Sequence, residues 1–136
     1  MRYKTIMKEN SFSIEFDNSI DTVFVRMFGA LTSKVVQICF HEYEKIIEQN
    51  FKNKKFKILL NMDEEAHNSI EILKLVRSLM ENQTYKENII AYAGVCENRS
   101  MTAGRDYVNY NPREGFFDNE KSAIEFLSGK SKNITN

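Results

Sequence analysis

The chain has 136 residues, of which 42% are hydrophobic and 12% aromatic, and it contains a single proline. This composition excludes a disordered or fibrous chain and predicts a globular domain with a core of its own. The 19 basic and 19 acidic residues balance each other. No overall field would therefore steer the protein to nucleic acid or to an acidic membrane surface, although a small local patch is compatible with this balance, and we expect no nucleic-acid partner.

The two cysteines and the amino-terminal residues bear on the cellular compartment. Cys39 and Cys96 lie far apart in apolar surroundings, which favours buried free thiols in a reducing compartment over a disulfide. The amino terminus lacks the apolar segment of a signal peptide. No run approaches the roughly 18 apolar residues of a membrane span. We therefore expect a cytoplasmic protein without an integral membrane segment.

The first third of the chain has the pattern of a β-hairpin followed by a helix. Hydrophobic residues alternate with polar ones in residues 11–16, and a second strand pattern covers residues 21–28, with turn-forming residues between them. Gly29 ends the second strand, and Thr32 or Ser33 can cap a helix. Apolar residues then recur at steps of three and four as far as Ile47, which predicts an amphipathic helix of about four to five turns.

The stretch from residue 54 to residue 80 is the clearest strand, turn and helix in the sequence. An apolar run from Phe56 to Leu60 is closely followed by three acidic residues, Asp63, Glu64 and Glu65. Such a run predicts a strand buried on both faces, as in a parallel sheet. Asn68 and Glu71 have the spacing of a capping box, so a helix should begin at about Ser69. Its wide apolar stripe predicts deep packing on the sheet. The lysines of residues 52–57 are interpreted as a solvated connection rather than a phosphate-binding patch.

The last third contains a further buried strand, a weakly patterned region and a closing helix. Residues 89–95 form the strand, and their small side chains predict that another group packs closely against them. Residues 96–115 have no clear periodicity. Phe116 and Phe117 predict a short strand, and Asp118 or Asn119 can cap a helix that ends at Gly129. We expect an amino-terminal segment (1–10), one domain (11–129) and a disordered tail (130–136).

The predicted fold class is therefore α/β. After the hairpin, strands and helices alternate, which indicates a single mixed, mostly parallel sheet of about five strands. The hairpin supplies the antiparallel part, and the helices are expected mainly on one face. In such sheets, ligands and partners usually meet the carboxyl ends of the strands. The polar segment from Asn61 to Ser69 occupies that position.

Three segments resemble the SpoIIAA-like, or STAS, superfamily, and especially its branch related to CRAL-TRIO-like lipid carriers. They are VFVRMFGALT at residues 23–32, KFKILLNMDEEAHNSIEIL at 55–73 and GFFDNEKSAIEFL at 115–127. The resemblance implies a SpoIIAA-like fold in which the turn after the central strand binds a protein partner. Asn61 stands where the family usually has an aspartate.

The resemblance also implies a role for Ser69. Anti-sigma-factor antagonists of this superfamily carry Asp-Ser-Ser/Thr-Gly in the turn, and phosphorylation of the first serine controls partner binding. Asn68-Ser69-Ile70-Glu71 takes the corresponding place, so Ser69 would match the phosphorylated serine, although the other three positions differ. The alternative is an ordinary serine at a helix start. The candidate partner-binding residues are Asn61, Asp63, His67, Asn68 and Ser69, with Ser69 also the candidate phosphorylation site.

No catalytic or metal-binding pattern stands out. His41 and His67 lack Cys or carboxylate neighbours at zinc-like spacing, and no phosphate loop, dinucleotide fingerprint or nucleophile elbow is present. We therefore expect no enzyme activity, cofactor or metal. Aromatic and basic residues interleave in 105–117, but closing one end of the sheet is favoured over stacking on bases.

Two functions follow as hypotheses. The first is a noncatalytic regulatory or scaffolding module that binds a protein partner through the segment from Asn61 to Ile72. The second is a small carrier or sensor of a lipid or other apolar ligand, for which six Met and ten Phe could line a pocket. A homodimer is compatible with either hypothesis.

Overall fold

The structure is a computed structural model. It describes residues 2–6, 11–63, 65–66, 69–96 and 113–135, with side chains for those between 11 and 129.

Within these residues, one mixed sheet contains six strands that lie in chain order from edge to edge. The first three strands pair antiparallel, and every later pair is parallel. The predicted mixed, mostly parallel sheet with an antiparallel start is confirmed. The first strand lies in residues 1–10, where no strand was predicted, and extends the hairpin to three strands. The strands are β1 (Arg2–Ile6), β2 (Phe12–Asp17), β3 (Thr22–Met27), β4 (Phe56–Met62), β5 (Ile89–Val95) and β6 (Glu114–Phe117).

Three helices cover the two faces of the sheet. They are α1 (Ser33–Asn50), α2 (Ile70–Glu81) and α3 (Glu120–Thr135), and a short 3-10 turn spans Lys86–Asn88. We call the face that packs against α1 and α2 the first face, and the face that packs against α3 the second face. The described helices thus lie mainly on one face, as predicted. None of them combines the length and the apolar character needed to cross a membrane.

The central strand β4 is buried on both faces, as its apolar run predicts. Phe56, Ile58 and Leu60 belong to the core beneath α1 and α2, whereas Leu59 belongs to the core beneath α3. Because successive side chains of a strand point to opposite faces, one apolar segment supplies both cores. The position of β4 between two parallel neighbours follows from this double burial.

Helix α1 begins where its sequence predicts. The Thr32 hydroxyl accepts a hydrogen bond from the Val35 amide at 3.2 Å, which satisfies one of the free amides of the first turn. Its buried side includes Cys39, and burial raises the pKa of this thiol to about 12. Cys39 and Cys96 are both buried free thiols, as expected.

Helix α2 packs less deeply than its wide apolar stripe predicts. Only Ile72 and Val76 are buried, whereas Leu73 and Leu75 remain partly exposed. The prediction of deep packing is therefore wrong. A helix that packs on a sheet and beside one other helix leaves the rest of its circumference to water, whatever the width of its stripe.

Helix α3 continues past the residue predicted to end it. Gly129 was expected as the terminating residue, but the helical backbone extends to Thr135. Gly129 does not have the positive φ that a glycine at a helix end adopts. A glycine inside a helix costs only about 1 kcal/mol relative to alanine, so the helix tolerates it.

The lysine cluster before β4 is only partly a solvated connection. Lys54 and Lys55 are exposed, and the Lys54 ammonium lies 3.0 Å from an Asp21 carboxylate oxygen. Lys57 is different, because it lies inside β4 and is 1% exposed on the second face. Burial lowers the pKa of Lys57, and the nearby Asp21 carboxylate partly opposes that change.

The close approach predicted for β5 occurs at Gly94. A Cβ atom at this position would lie 2.8 Å from a ring carbon of Phe116 on the neighbouring strand. The Phe116 ring also packs edge-on against Tyr92, with 6.2 Å between the ring centroids. The glycine therefore makes room for an aromatic pair on the first face.

Two glycine-to-alanine variants should have opposite effects. Gly94→Ala should lower the free energy of unfolding by about 1–3 kcal/mol, because the added methyl group overpacks against Phe116. Gly129→Ala should raise it by up to about 1 kcal/mol, since a Cβ there meets no atom within 4 Å. Urea titration followed by circular dichroism would measure both. Equal stability of the two variants would contradict the packing at Gly94.

Candidate functional site

The candidate site lies at the carboxyl ends of β3 and β4. These parallel strands end side by side, with Met27 opposite Met62. Asn61, Asp63 and Ser69 all lie within or just after the end of β4. His67 and Asn68 lie outside the described residues, so their predicted role and the capping box of Asn68 with Glu71 stay predictions.

Asp63 holds two turns together. One of its carboxylate oxygens accepts a hydrogen bond from the Gly29 amide at 3.0 Å, and the other accepts one from the Ala66 amide at 2.8 Å. Its own amide donates to the Met27 carbonyl at 3.1 Å. Gly29 has a positive φ of 79°, so the carboxylate fixes a turn that favours glycine. Asp63 therefore joins the β3–α1 turn to the end of β4.

Asn61 points to the second face, away from the turn. Its side-chain amide donates a hydrogen bond to the Glu120 carboxylate at 2.6 Å. Arg26, which lies opposite Asn61 in the β3–β4 register, also binds Glu120. The Arg26 Nε and Nη2 atoms donate to the two Glu120 oxygens at 2.7 and 2.8 Å. A paired contact of this kind is among the strongest ionic hydrogen bonds in proteins.

A second carboxylate completes this cluster of Arg26, Glu15, Glu120 and Asn61, which we call the arginine cluster. The Arg26 Nη1 atom donates to Glu15 at 2.5 Å. The Arg26 and Glu120 side chains are 22% and 21% exposed, and that of Glu15 is 8% exposed. Hydrogen bonding to Glu120 and to Glu15 raises the pKa of Arg26 against the opposing effect of burial. The guanidinium stays charged and links β2, β3 and the start of α3.

The sequence contains only part of the information needed to find this cluster. Glu15 and Arg26 occupy polar positions of two alternating strands, so a correct hairpin register would have placed them on the same face. Glu120 is separated from Arg26 by 94 residues. Only the packing of α3 on the second face brings it there.

Ser69 is the residue before the first residue of α2. Its hydroxyl accepts a hydrogen bond from the Ile72 amide at 3.2 Å, which is the geometry of a helix N-cap. The helix thus begins within one residue of the predicted start. The next residue, Ile70, is 69% exposed, and no other large hydrophobic side chain is exposed among those that the structure describes.

The surroundings of Ile70 are polar and carry both charges. Glu71 is exposed next to it in the chain, Glu65 is exposed in the preceding turn, and Lys74 and Arg77 are exposed one and two turns further along α2. The partly exposed Leu73 lies one turn from Ile70. This surface, which we call the α2 start, is a small apolar contact inside a polar rim, the composition usual for protein interfaces.

The described site residues make defined hydrogen bonds. Ser69 caps α2, Asp63 accepts two backbone hydrogen bonds, and the carboxylates of Glu15 and Glu120 bind Arg26. Within the described part of the chain, no group of three or more His, Cys, Asp or Glu residues has the geometry to hold a metal ion.

Replacement of Asp63 should reduce stability. Asp63→Ala should lower the free energy of unfolding by about 1–3 kcal/mol, because the Gly29 and Ala66 amides lose their acceptor. Glu65→Ala is the control, since Glu65 is exposed. Urea denaturation would compare the two. Equal urea midpoints for Asp63→Ala and Glu65→Ala would show that the Asp63 hydrogen bonds do not stabilise the fold.

Replacement of Ser69 tests the cap. Ser69→Ala should cost about 0.5–2 kcal/mol of stability, whereas Ser69→Asp should retain most of it, because aspartate also caps helices. Thermal unfolding at matched buffer composition measures both. A loss of the same size in both variants would mean that the hydroxyl does not act as the cap.

Comparisons with known proteins yield no relative for this chain. No protein-family model, no curated protein and no solved structure matches it. The resemblance to the STAS superfamily therefore stays a prediction based on its three segments.

Proposed function

We propose that this protein is a noncatalytic regulatory or scaffolding module that binds a protein partner through the turn and helix start between Asn61 and Ile72. The observation that carries the proposal is the exposure of Ile70, a large apolar side chain left in water at the carboxyl edge of the sheet. Single exposed apolar side chains are common, but protein interfaces combine an apolar centre with a polar rim, and Ile70 offers such a centre.

The geometry divides the predicted residues into supporting and contacting ones. Asn61 and Asp63 engage Glu120 and the backbone of two turns, so their side chains support the site from within. Ser69 is partly exposed, and Ile70 is 69% exposed. We therefore assign the partner contact to the α2 start, with Ile70 as its anchor and Ser69 at its margin.

The contacts of Asp63 and of the first turns of α2 favour a binding role. Asp63 joins the end of β4 to the turn after β3 through its hydrogen bond with Gly29. The Ile72 and Val76 side chains pack α2 against the first core. A surface that is already ordered loses little conformational entropy when a partner binds. The apolar anchor can then contribute most of its burial energy to affinity.

The alternative of an apolar-ligand carrier gains no support from the aromatic residues. Their side chains pack against one another, as in the edge-on pair of Phe16 and Phe51 and the tilted pair of Phe51 and Phe56. This packing accounts for the richness in phenylalanine without a bound ligand. Six of the ten are buried in the two cores, namely Phe12, Phe16, Phe40, Phe51 and Phe56 in the first and Phe24 in the second.

Phosphorylation of Ser69 would act at this same surface. A phosphate there would lie at the positive end of α2, where the helix dipole and free amides favour negative charge. The exposed Glu65 and Glu71 carboxylates would oppose it. The modification would place a doubly charged group beside Ile70 and so change which partners can dock.

The decisive experiment replaces the anchor without disturbing the helix. Ile70→Asp introduces an acid at the first position of α2, where the helix dipole favours it, so stability should hold. Loss of a buried isoleucine contact of about 1.5–3 kcal/mol should weaken partner binding about 10- to 100-fold. The partner is identified by photocrosslinking from position 70 in cells, and its affinity is then measured with purified proteins.

The matched control is Ser33→Asp. Ser33 is the exposed first residue of α1, the helix that follows the neighbouring strand β3. The Ser33→Asp substitution therefore also places an acid at the first position of a helix. Binding by Ser33→Asp should equal that of the wild type. If Ile70→Asp binds every crosslinked partner as tightly as Ser33→Asp does, the proposal is wrong.

A further inference from the structure

The two sides of the sheet differ in how firmly their helices are held. Among the described residues, the first core contains nineteen buried hydrophobic residues and the second core seven. Three of those seven are alanines, Ala91 and Ala93 on β5 and Ala123 on α3. Since hydrophobic stabilisation grows with the apolar area removed from water, each small side chain adds little to the attachment of α3.

Polar contacts hold α3 at two places along its length. Glu120, its first residue, is bound by Arg26 and Asn61 at the carboxyl ends of β3 and β4. Seven residues later, the Leu127 carbonyl accepts a hydrogen bond from the buried Lys57 ammonium at 3.4 Å. Lys57 lies near the amino end of β4, so α3 runs back along the strand between two cationic side chains.

The buried side chains that hold α3 belong to a different core from those that hold α1 and α2. It follows β6 in the chain, packs mainly on β4, β5 and β6, and reaches Arg26 on β3 through Glu120. The side chains that anchor α1 and α2 belong to the other face. An element that depends on one small core and a few ionic contacts is the kind that opens separately from the whole domain.

We propose that α3, which covers the second face and is held there by the arginine cluster, dissociates from the sheet as a unit while α1 and β2–β4 remain folded. The Glu120 carboxylate is the main attachment point of α3, because it accepts hydrogen bonds from Arg26 Nε, Arg26 Nη2 and the Asn61 side-chain amide. Opening separates Glu120 from Arg26 and uncovers the Phe24 and Leu59 side chains. The arginine cluster lies on the second face, whereas α2 packs on the first face, and Asn61 is the residue that the cluster shares with the partner-binding segment.

Hydrogen exchange followed by NMR on the full chain tests the proposal. In the wild type, the amides of Ile124 and Leu127 in α3 should exchange faster than those of Tyr43 and Ile47 in α1. In Glu120→Gln, the α3 amides should exchange at least about tenfold faster than in the wild type, because hydrogen bonds between charged groups are lost. The α1 amides should keep their wild-type rates.

The control removes an ion pair of a different kind. Glu42 lies 3.7 Å from Lys45 on the surface of α1, and such exposed pairs contribute little. Glu42→Gln should leave both sets of amides unchanged. An equal acceleration of α3 and α1 amides in Glu120→Gln, or no acceleration of α3, would overturn the proposal.

A second variant weakens α3 through its apolar contacts. Leu127→Ala truncates a buried side chain of the second core and should likewise accelerate exchange in α3 while sparing α1. If Leu127→Ala accelerates exchange in both helices to the same extent, α3 opens only when the whole domain unfolds, and the proposal fails.

Discussion

Burial of β4 on both faces is the constraint on which the rest of the structure depends. Its alternating side chains enter the first core through Phe56 and Ile58 and the second through Leu59. A strand that is apolar on both faces needs a helix layer on each face and a neighbour on each edge. β3 and β5 occupy the edges, and the helices cover the faces. The antiparallel strands β1 and β2 then extend the sheet on the β3 side.

The same constraint explains where polar residues of the candidate site belong. Once the parallel strands β3 and β4 are in register, their carboxyl ends and the two turns that leave them lie side by side. Asp63 satisfies backbone amides in both turns, which would otherwise lack acceptors. The polar character of this edge is thus partly a requirement of the fold. The proposed partner contact rests instead on Ile70, which is 69% exposed.

The two faces of the sheet use different means of attachment. The first face relies on large aliphatic and aromatic side chains from α1, α2 and four strands. The second face mixes small residues with charged ones, among them Arg26 and the buried Lys57. Buried charges must be paired to be tolerated, and their pairing is directional. A helix held in this way has a more specific position and a smaller apolar contribution than α1.

The sequence by itself determined the strands β2 to β6, the start of α1, the beginning of α2 within one residue and the mixed α/β architecture, because periodicity and capping act over a few residues. Only the tertiary structure decided how deeply α2 packs, that Lys57 is buried and that α3 continues beyond Gly129. It also decided that Asn61 and Asp63 engage structural partners, and that Glu120 meets Arg26. The common reason is distance along the chain: burial and ion pairing depend on which faces meet, and no local pattern records the position of a side chain 94 residues away.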